Sequence, residues 1–406
     1  MTESKFDYRT SSITRGVREL EEPQPVYHDL VESRLVRRDG AVNVFRYDDI
    51  VAINRNRTVL GTGGSGVGYL GFPRPRIPQD YDGEAHTMWR RLLDPLFSPK
   101  KVAQWEAEVR ELAVALIEKF LPHGEVELYS AFATPLPSQI IIRMVGAPLE
   151  DLPFFLRWKE SVLRPEGNTS EEMVAYCRAQ TAPMHEYIVN LIRQRQADDA
   201  DYDDLIAVLL KSEVQGRSLT DDELVDIVLE LIIAGLDTVT SALSTIFARL
   251  ARTPDLRDQL AADPSRIPAA VEELLRIESP IPAQPRWATE DIDLGGGEII
   301  RKGEAIQVLV AAANLDEEKF SCPMDLDATR ARNAHLSFSS GVHRCLGSHL
   351  ARLELKVALE EFLARIPSFE IKSGEQVLYN NVMIRVAHYV PLTFPPGGGG
   401  PQASGQ

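Results

Sequence analysis

The 406-residue chain reads as a mainly α protein, a large helical domain built around one long central helix with a small β-rich subdomain beside it. Three observations predict this. From about Trp105 to Ser279 the apolar residues recur at helical spacing. A single 3.6-residue pattern runs on to Arg252 from a capping box, in which Thr220 stands three residues before Glu223. Strand-like runs are short and lie toward the two ends of the chain.

In chain order, "AVNVFRY" (41–47) alternates like a strand, and "WEAEVRELAVALIEKFL" (105–121) has helical spacing. The segment "EEMVAYCRAQTAPMHEYIVNLIRQRQ" continues that periodicity, and Thr253-Pro254 stops the long helix. The middle of that helix, "IVLELIIAGL", is almost uniformly apolar and is expected to be buried on nearly all sides. Further strand signals are "EIIRKGEAIQVLVAA" (298–312) and "VMIRVAHYVPLTF" (382–394), which flank the amphipathic segment "CLGSHLARLELKVALEEFLARI". One domain is expected over 1–394, flexible to about residue 20, and "PPGGGGPQASGQ" (395–406) has the composition of a disordered tail. "DDADYDDL" (198–205) reads as a solvated acidic loop.

Sixty acidic against 44 basic residues give a formal charge of −16, which disfavours nucleic acid and anionic membrane surfaces as partners. No apolar run approaches the roughly 20 residues of a bilayer span, and the N-terminus lacks a signal-peptide pattern, so a cytoplasmic protein is expected. Cys177, Cys322 and Cys345 are scattered and odd in number, which argues against a disulfide framework. "GTGGSG" (61–66) matches a dinucleotide-binding loop by letter, but Pro73, Pro75 and Pro78 forbid the helix that such a loop must open. A flexible loop able to close over a cavity is the better reading.

From Ala328 to Leu353 there are four arginines and three histidines but no acid, and Cys345 lies within that stretch. Its surroundings leave three readings open: a buried structural thiol, a zinc site shared with His335, His343 or His349, or a metal-bound thiolate of another kind. Zinc sites need a second ligand pair, which is missing. A glycine-rich loop precedes the thiol and a helix is expected to begin at or just after it. Helix-terminal N–H groups, with Leu346 and Gly347 as the candidates, would favour the thiolate.

The spacing Phe338-x-x-Gly341-x-His343-x-Cys345-x-Gly347 resembles the haem-binding loop of the cytochrome P-450 superfamily. Other segments support the resemblance in the expected order. "AGLDT" (Ala234–Thr238) resembles the family's oxygen-activation motif, Glu273-x-x-Arg276 with Arg330 its ExxR network, and His86 with Arg90 its propionate-binding pair. The likeness spans about residues 20–394.

The resemblance implies the family fold and heme b, iron protoporphyrin IX, held by Cys345 as axial metal ligand, with Phe338, Gly341, Leu346 and Gly347 around it. It also implies propionate contacts from His86, Arg90, Arg286 and His343, and a small surface for dioxygen at Ala234 and Gly235. Asp237 and Thr238 would be the catalytic acid–alcohol pair that supplies protons. Electrons are expected from NAD(P)H through separate ferredoxin reductase and ferredoxin, docking on a basic patch of Arg332, Arg344, His349 and Arg352.

The substrate expected is a small hydrophobic molecule, of terpenoid, fatty acid, steroid or aromatic class. It would meet the 59–78 loop, helix ends around 153–190, Ile233, Ile281, Pro282, Met383 and Ile384. Glu230 stands one turn before Ala234 where an apolar residue is expected, as a salt-bridge partner or as a contact to a polar substrate group. A peroxide-driven peroxygenase and a non-catalytic haem sensor are the alternative functions, and neither would need the acid–alcohol pair. Two positions depart from the family pattern: Ser339 where glycine is frequent, and Leu315 where arginine is common. Ser339 would be strained only if its φ were positive.

Overall fold

The computed structural model describes residues 13, 17, 20–61, 70–198, 202–330, 332–380 and 383–396. Most of the glycine run after Gly61 and nearly all of the tail therefore lie outside the described residues.

The long helix extends from Asp221 to Arg252. Its 32 residues, at 1.5 Å each, span about 48 Å. Both halves of the capping box are present: Glu223 N donates to Thr220 Oγ1 (3.2 Å) and Thr220 N donates to Glu223 Oε2 (2.8 Å). By length and composition the helix could cross a membrane, contrary to the expectation that no such stretch exists. Its most apolar window is 83% buried, however, because helices Pro135–Val145 and Ser170–Ala197 and strand Val386–Tyr389 pack around it.

A five-stranded sheet lies apart from these helices, in the order Leu35–Arg38, Ala41–Val44, Ala305–Val308, Gln284–Ala288 and Val59–Leu60. The strand expected over 41–47 stops at Val44. Tyr47 N instead donates to Asp316 Oδ2 (2.9 Å) and opens helix Tyr47–Arg55. The run over 298–312 is likewise divided, since Gly303 turns the chain at φ +88° and Val310–Ala313 forms one helical turn. The acidic segment is more than a solvated loop, because Asp204 caps helix Leu205–Leu210 and pairs with Arg195 at 2.7 Å.

The Glu273–Arg276 pair lies in helix Ile267–Glu278 and is buried, with side chains 1% and 0% exposed. Arg276 grips the carboxylate with two bonds, 2.7 and 2.9 Å, and spends its other donors on the carbonyls of Asn314, Pro323 and Asp325. Glu273 also accepts from Asn333 Nδ2 (2.8 Å) and Asp327 N (3.0 Å), while Arg330 Nε approaches it at 3.3 Å. These donors hold its pKa below the usual carboxylate value against the opposing pull of burial. Helix Ile267–Glu278 is thereby tied to the segment that precedes Phe338. Leu315 needs no charge in this frame, since it is fully buried beside Phe45, Ile277 and Ala283.

Removing one partner leaves the other charge buried and unpaired, so Arg276→Ala should cost about 3–5 kcal/mol in urea unfolding. A loss below about 1 kcal/mol would show that the network is not structural.

Candidate active site

A single cavity gathers most of the residues singled out from the sequence. Ala234, Gly235, Thr238, His86, Arg90, Arg286, Phe338, His343, Cys345, Leu346 and Gly347 all line it. Asp237 and Gly341 do not.

Cys345 enters at the end of a tight loop closed by backbone bonds, with Arg344 N donating to Gly341 O at 3.3 Å and Cys345 N to Phe338 O at 2.9 Å. Gly341 makes the loop possible: its φ is +70°, and a Cβ there would lie 2.0 Å from Asn54 O. The thiol is exposed by surface area, yet that surface is the wall of the cavity, and the enclosing protein raises its pKa. The Gly347 N–H opposes the shift by bonding the sulfur. The helix begins at Ser348, three residues after the thiol and later than expected, and Gly347 rather than Leu346 provides the N–H. Apart from its chain neighbours, no described atom lies within 4 Å of where a Gly347 Cβ would stand, and Gly347 lines the cavity.

Charge in this part of the cavity is unbalanced. Arg286 is 5% exposed and bonds Asn54 Oδ1 (3.1 Å), Pro285 O (2.8 Å), Gln284 Oε1 (3.0 Å) and Ser339 Oγ (3.3 Å). None of these is a carboxylate, and burial lowers its pKa to about 10. His343 is bound to Asp82 (2.8 Å) and packs against His86 with ring centroids 4.2 Å apart and planes tilted by 46°. Burial, reinforced by His343 and Arg90, lowers the His86 pKa to about 4, so it is neutral in the protein alone. Arg90 donates to Asp94 (2.6 Å) and to Arg344 O (2.7 Å). A bound group with two anionic arms and a flat face toward Gly347 matches these unsatisfied demands, and haem is such a group. No three His, Cys, Asp or Glu side chains converge as a metal site among the described residues, which leaves the zinc reading without support.

Opposite this wall lies the middle of the long helix. Ala234 is exposed and Thr238 partly exposed, in a helix otherwise buried there, and both face the cavity. Thr238 Oγ1 donates to Ala234 O at 2.8 Å. Gly235 also reaches the wall, but its missing Cβ faces Ile141, 2.9 Å from where that atom would stand, so the glycine is needed for helix approach. Asp237 points the other way. It is fully buried and paired with Lys159 Nζ (2.8 Å) and Arg164 Nη2 (3.1 Å), and these cations hold its pKa down against burial. Lys159 in turn meets the half-exposed Glu160 at 2.8 Å. The ionic chain therefore runs from the surface to the helix centre.

Ser339 does take φ +59°, the strained case, and its hydroxyl bonds Arg286. Arg352 is no free surface cation, because Glu272 holds it in two bonds of 2.7 and 2.8 Å. Arg332 and Arg344 make no ion pair among the described residues. Leu70, Ile141, Ile233, Ile281, Met383 and Ile384 make the rest of the wall apolar, while Pro282 is off it and the 153–190 region contributes only Leu163. Three charged groups on the wall had no role assigned from sequence or only an undecided one: Arg76, Glu230 and Glu354. Glu354 is 2% exposed, its Oε2 has no partner, and burial raises its pKa to about 8.

A cavity lined by one thiol, with cations on its wall and a long helix presenting Ala234 and Thr238 to it, matches a haem-thiolate site. The chain belongs to the cytochrome P450 family: the family model for Cytochrome P450 matches residues 141–382. A steroid C26-monooxygenase of Mycobacterium tuberculosis is 33% identical over 92% of this chain and 98% of its own length. The mycinamicin IV hydroxylase/epoxidase of Micromonospora griseorubida is 33% identical over 87% of this chain and 90% of its own. Among solved structures, a mutant of P450 EryK with erythromycin B superposes at TM-score 0.84 with 28% identity, covering 95% of this chain and 99% of that one. P450BioI in complex with an acyl carrier protein carrying hexadec-9Z-enoic acid does so at 0.84 with 28% identity, over 92% and 98%. Family members bind haem through a cysteine thiolate, and the chain is an enzyme of the monooxygenase class to which these relatives belong.

Two substitution series test the local physics. Both Ser339→Ala and Ser339→Gly lose the bond to Arg286, but Ala keeps the strain of the positive φ and Gly relieves it, so Ser339→Gly should be more stable than Ser339→Ala by about 1 kcal/mol in urea unfolding. The folded pKa of Glu354 lies above its unfolded value of 4.5, so the folded state holds the extra proton and stability falls as pH rises from there to about 8. Glu354→Gln abolishes that fall, and its advantage over wild type should grow by about 1.4 kcal/mol per pH unit in that window. Parallel stability curves for the two proteins would refute a buried neutral carboxyl.

Proposed function

We propose that the protein is a cytoplasmic monooxygenase that receives electrons from NAD(P)H through separate ferredoxin reductase and ferredoxin, and inserts one atom of dioxygen into a small hydrophobic substrate. Cys345 supplies the axial thiolate, and Arg286, His86, Arg90 and His343 receive the propionates. The observation that carries this reading is the buried Arg286 facing the thiol's cavity without a carboxylate partner. The haem, when bound, supplies dioxygen activation and oxygen transfer to a C–H bond.

The chain's own groups manage protons. Thr238 Oγ1 faces the cavity and has one proton, now donated to Ala234 O, that a rotation about χ1 can redirect. Asp237 lies one residue before it and receives protons through the Glu160–Lys159–Asp237 chain from the surface. A peroxide-driven enzyme or a sensor has no use for this chain. Among the described residues Arg332 and Arg344 make no ion pair and are exposed, which supports docking of an acidic ferredoxin, with Arg352 removed from that patch. The relatives' names point to steroids and macrolides, and the solved P450BioI complex to a fatty acyl chain; a multi-ring or long-chain substrate suits the apolar wall.

Turnover under 18O2 with NADH, a ferredoxin and its reductase should place one labelled atom in the product. Thr238→Ala should lower product per NADH at least roughly tenfold, with the missing electrons recovered as peroxide. Cys345→Ser should displace the absorbance band of the reduced carbon monoxide complex from its wild-type position. Product formed only from added peroxide, or unaltered coupling in Thr238→Ala, would overturn the reading.

A further inference from the structure

We infer that the end of the cavity formed by Glu230 and Arg76 is a recognition site for a basic amine on the substrate, a site that steers a cationic group to one end while an apolar body extends toward Thr238. This deepens the proposed oxygenase reading and rests on it.

Glu230 is 7% exposed and lines the cavity from the long helix, one turn before Ala234. Among the described residues its one hydrogen-bond partner is Arg76 Nη1, at 3.5 Å to Oε2, which is a long and one-armed contact. Arg76 has a better partner in Asp80, which it holds in two bonds of 2.9 and 2.7 Å. The three groups together hold two negative charges against one positive charge. Neighbouring Asp226, a turn earlier in the helix, is already paired with Arg74 at 2.7 Å. The stretch 62–69 contains no charged residue that could redress the balance. Among the described residues Oε1 of Glu230 has no hydrogen-bond donor, and beside Arg76 and Gln79 the wall near it is apolar, with Leu70, Leu231 and Ile233.

A surface ion pair would not use a position on the cavity wall. A carboxylate that served only to fasten the 70–82 segment would take the bidentate grip that Arg76 instead gives to Asp80. Burial, only partly offset by Arg76, raises the Glu230 pKa to about 7, so the empty site is poised between its charged and neutral forms. A protonated amine entering beside Oε1 stabilises the charged form and completes the local neutrality. A carboxylate on the ligand would meet the same uncompensated negative charge and is excluded. Amine binding should be strongest above the Glu230 pKa and weaken as pH falls through it, provided the amine itself stays protonated.

The test uses the haem-loaded protein and three steroids that share one ring system and differ at one end, with a dimethylamino, a hydroxyl or a carboxylate group. Affinity is read by calorimetry, with displacement of haem-bound water followed by absorbance. Wild type should bind the amine about tenfold more tightly than the alcohol at about pH 8, with the preference shrinking at about pH 6. Glu230→Gln, isosteric and neutral, should abolish the preference and leave alcohol affinity unchanged. Arg76→Gln should strengthen amine binding severalfold, a direction that damage to the fold would not produce.

Equal affinity of wild type for amine and alcohol, a preference that survives in Glu230→Gln, or tightest binding of the carboxylate would each overturn the inference. An alcohol that is oxidised without any amine preference would overturn this inference and leave the oxygenase reading standing. An amine preference in a protein that incorporates no oxygen would do the reverse.

Discussion

Asp237 sits at the centre of a helix that is buried along most of its length, and an isolated carboxylate there would be too costly to keep ionised. Lys159 and Arg164, from helix Leu152–Leu163 and its C-cap, resolve this by surrounding it with two positive charges. Much of the architecture depends on that pairing. It docks one helix against the midpoint of another, and it turns the carboxylate away from the cavity. Thr238, the next residue, is left on the cavity side. The same contact that makes the helix buriable also gives its centre a polar route to solvent, because Lys159 reaches the half-exposed Glu160. Coulombic compensation of this kind adds little net stability but strongly penalises removal of one partner.

How much of this was legible in the sequence depended on whether the information was local. The thiolate loop, the ExxR pair and the capped central helix are each carried by residues within about ten positions, and their reading agrees with the placement of those elements. What escaped were pairings across long separations. Nothing in the text of the chain links Lys159 to Asp237, 78 positions apart, or Arg76 to Glu230, 154 apart. A signal was nevertheless present. Phe155, Lys159 and Val162 fall on one helical face, as do Leu350, Glu354 and Val357. A charged residue inside an apolar stripe marks a buried group with a special environment: Lys159 has a buried ionic partner, and Glu354 has an unpartnered carboxyl oxygen on the cavity wall.

Ser339 illustrates a different limit. Its identity could be read, but its φ could not, because whether a loop residue is left-handed depends on what the loop must avoid. Gly341 is pressed against the backbone at Asn54, which dictates the sharp path, and Ser339 absorbs part of the turning. The strain of about 1 kcal/mol is offset by the hydroxyl's bond to Arg286. The side chain that departs from the family pattern thus supports the guanidinium that the cavity most needs to hold in place.

The cavity is consequently polarised along its length. Around the thiol, buried Arg286 carries a positive charge that no bonded carboxylate offsets, with His86 neutral nearby. At the far end Glu230 leaves an excess of negative charge, and between them the wall is apolar. Fields of opposite sign at two ends of a low-dielectric space do not cancel; each remains strong over short distances because little solvent screens it. The positive end matches the two carboxylates of the cofactor. At the negative end Arg76 is shared with Asp80 and reaches Glu230 only at 3.5 Å, so an entering cation would complete the neutralisation and align its apolar body along the axis between Glu230 and Thr238.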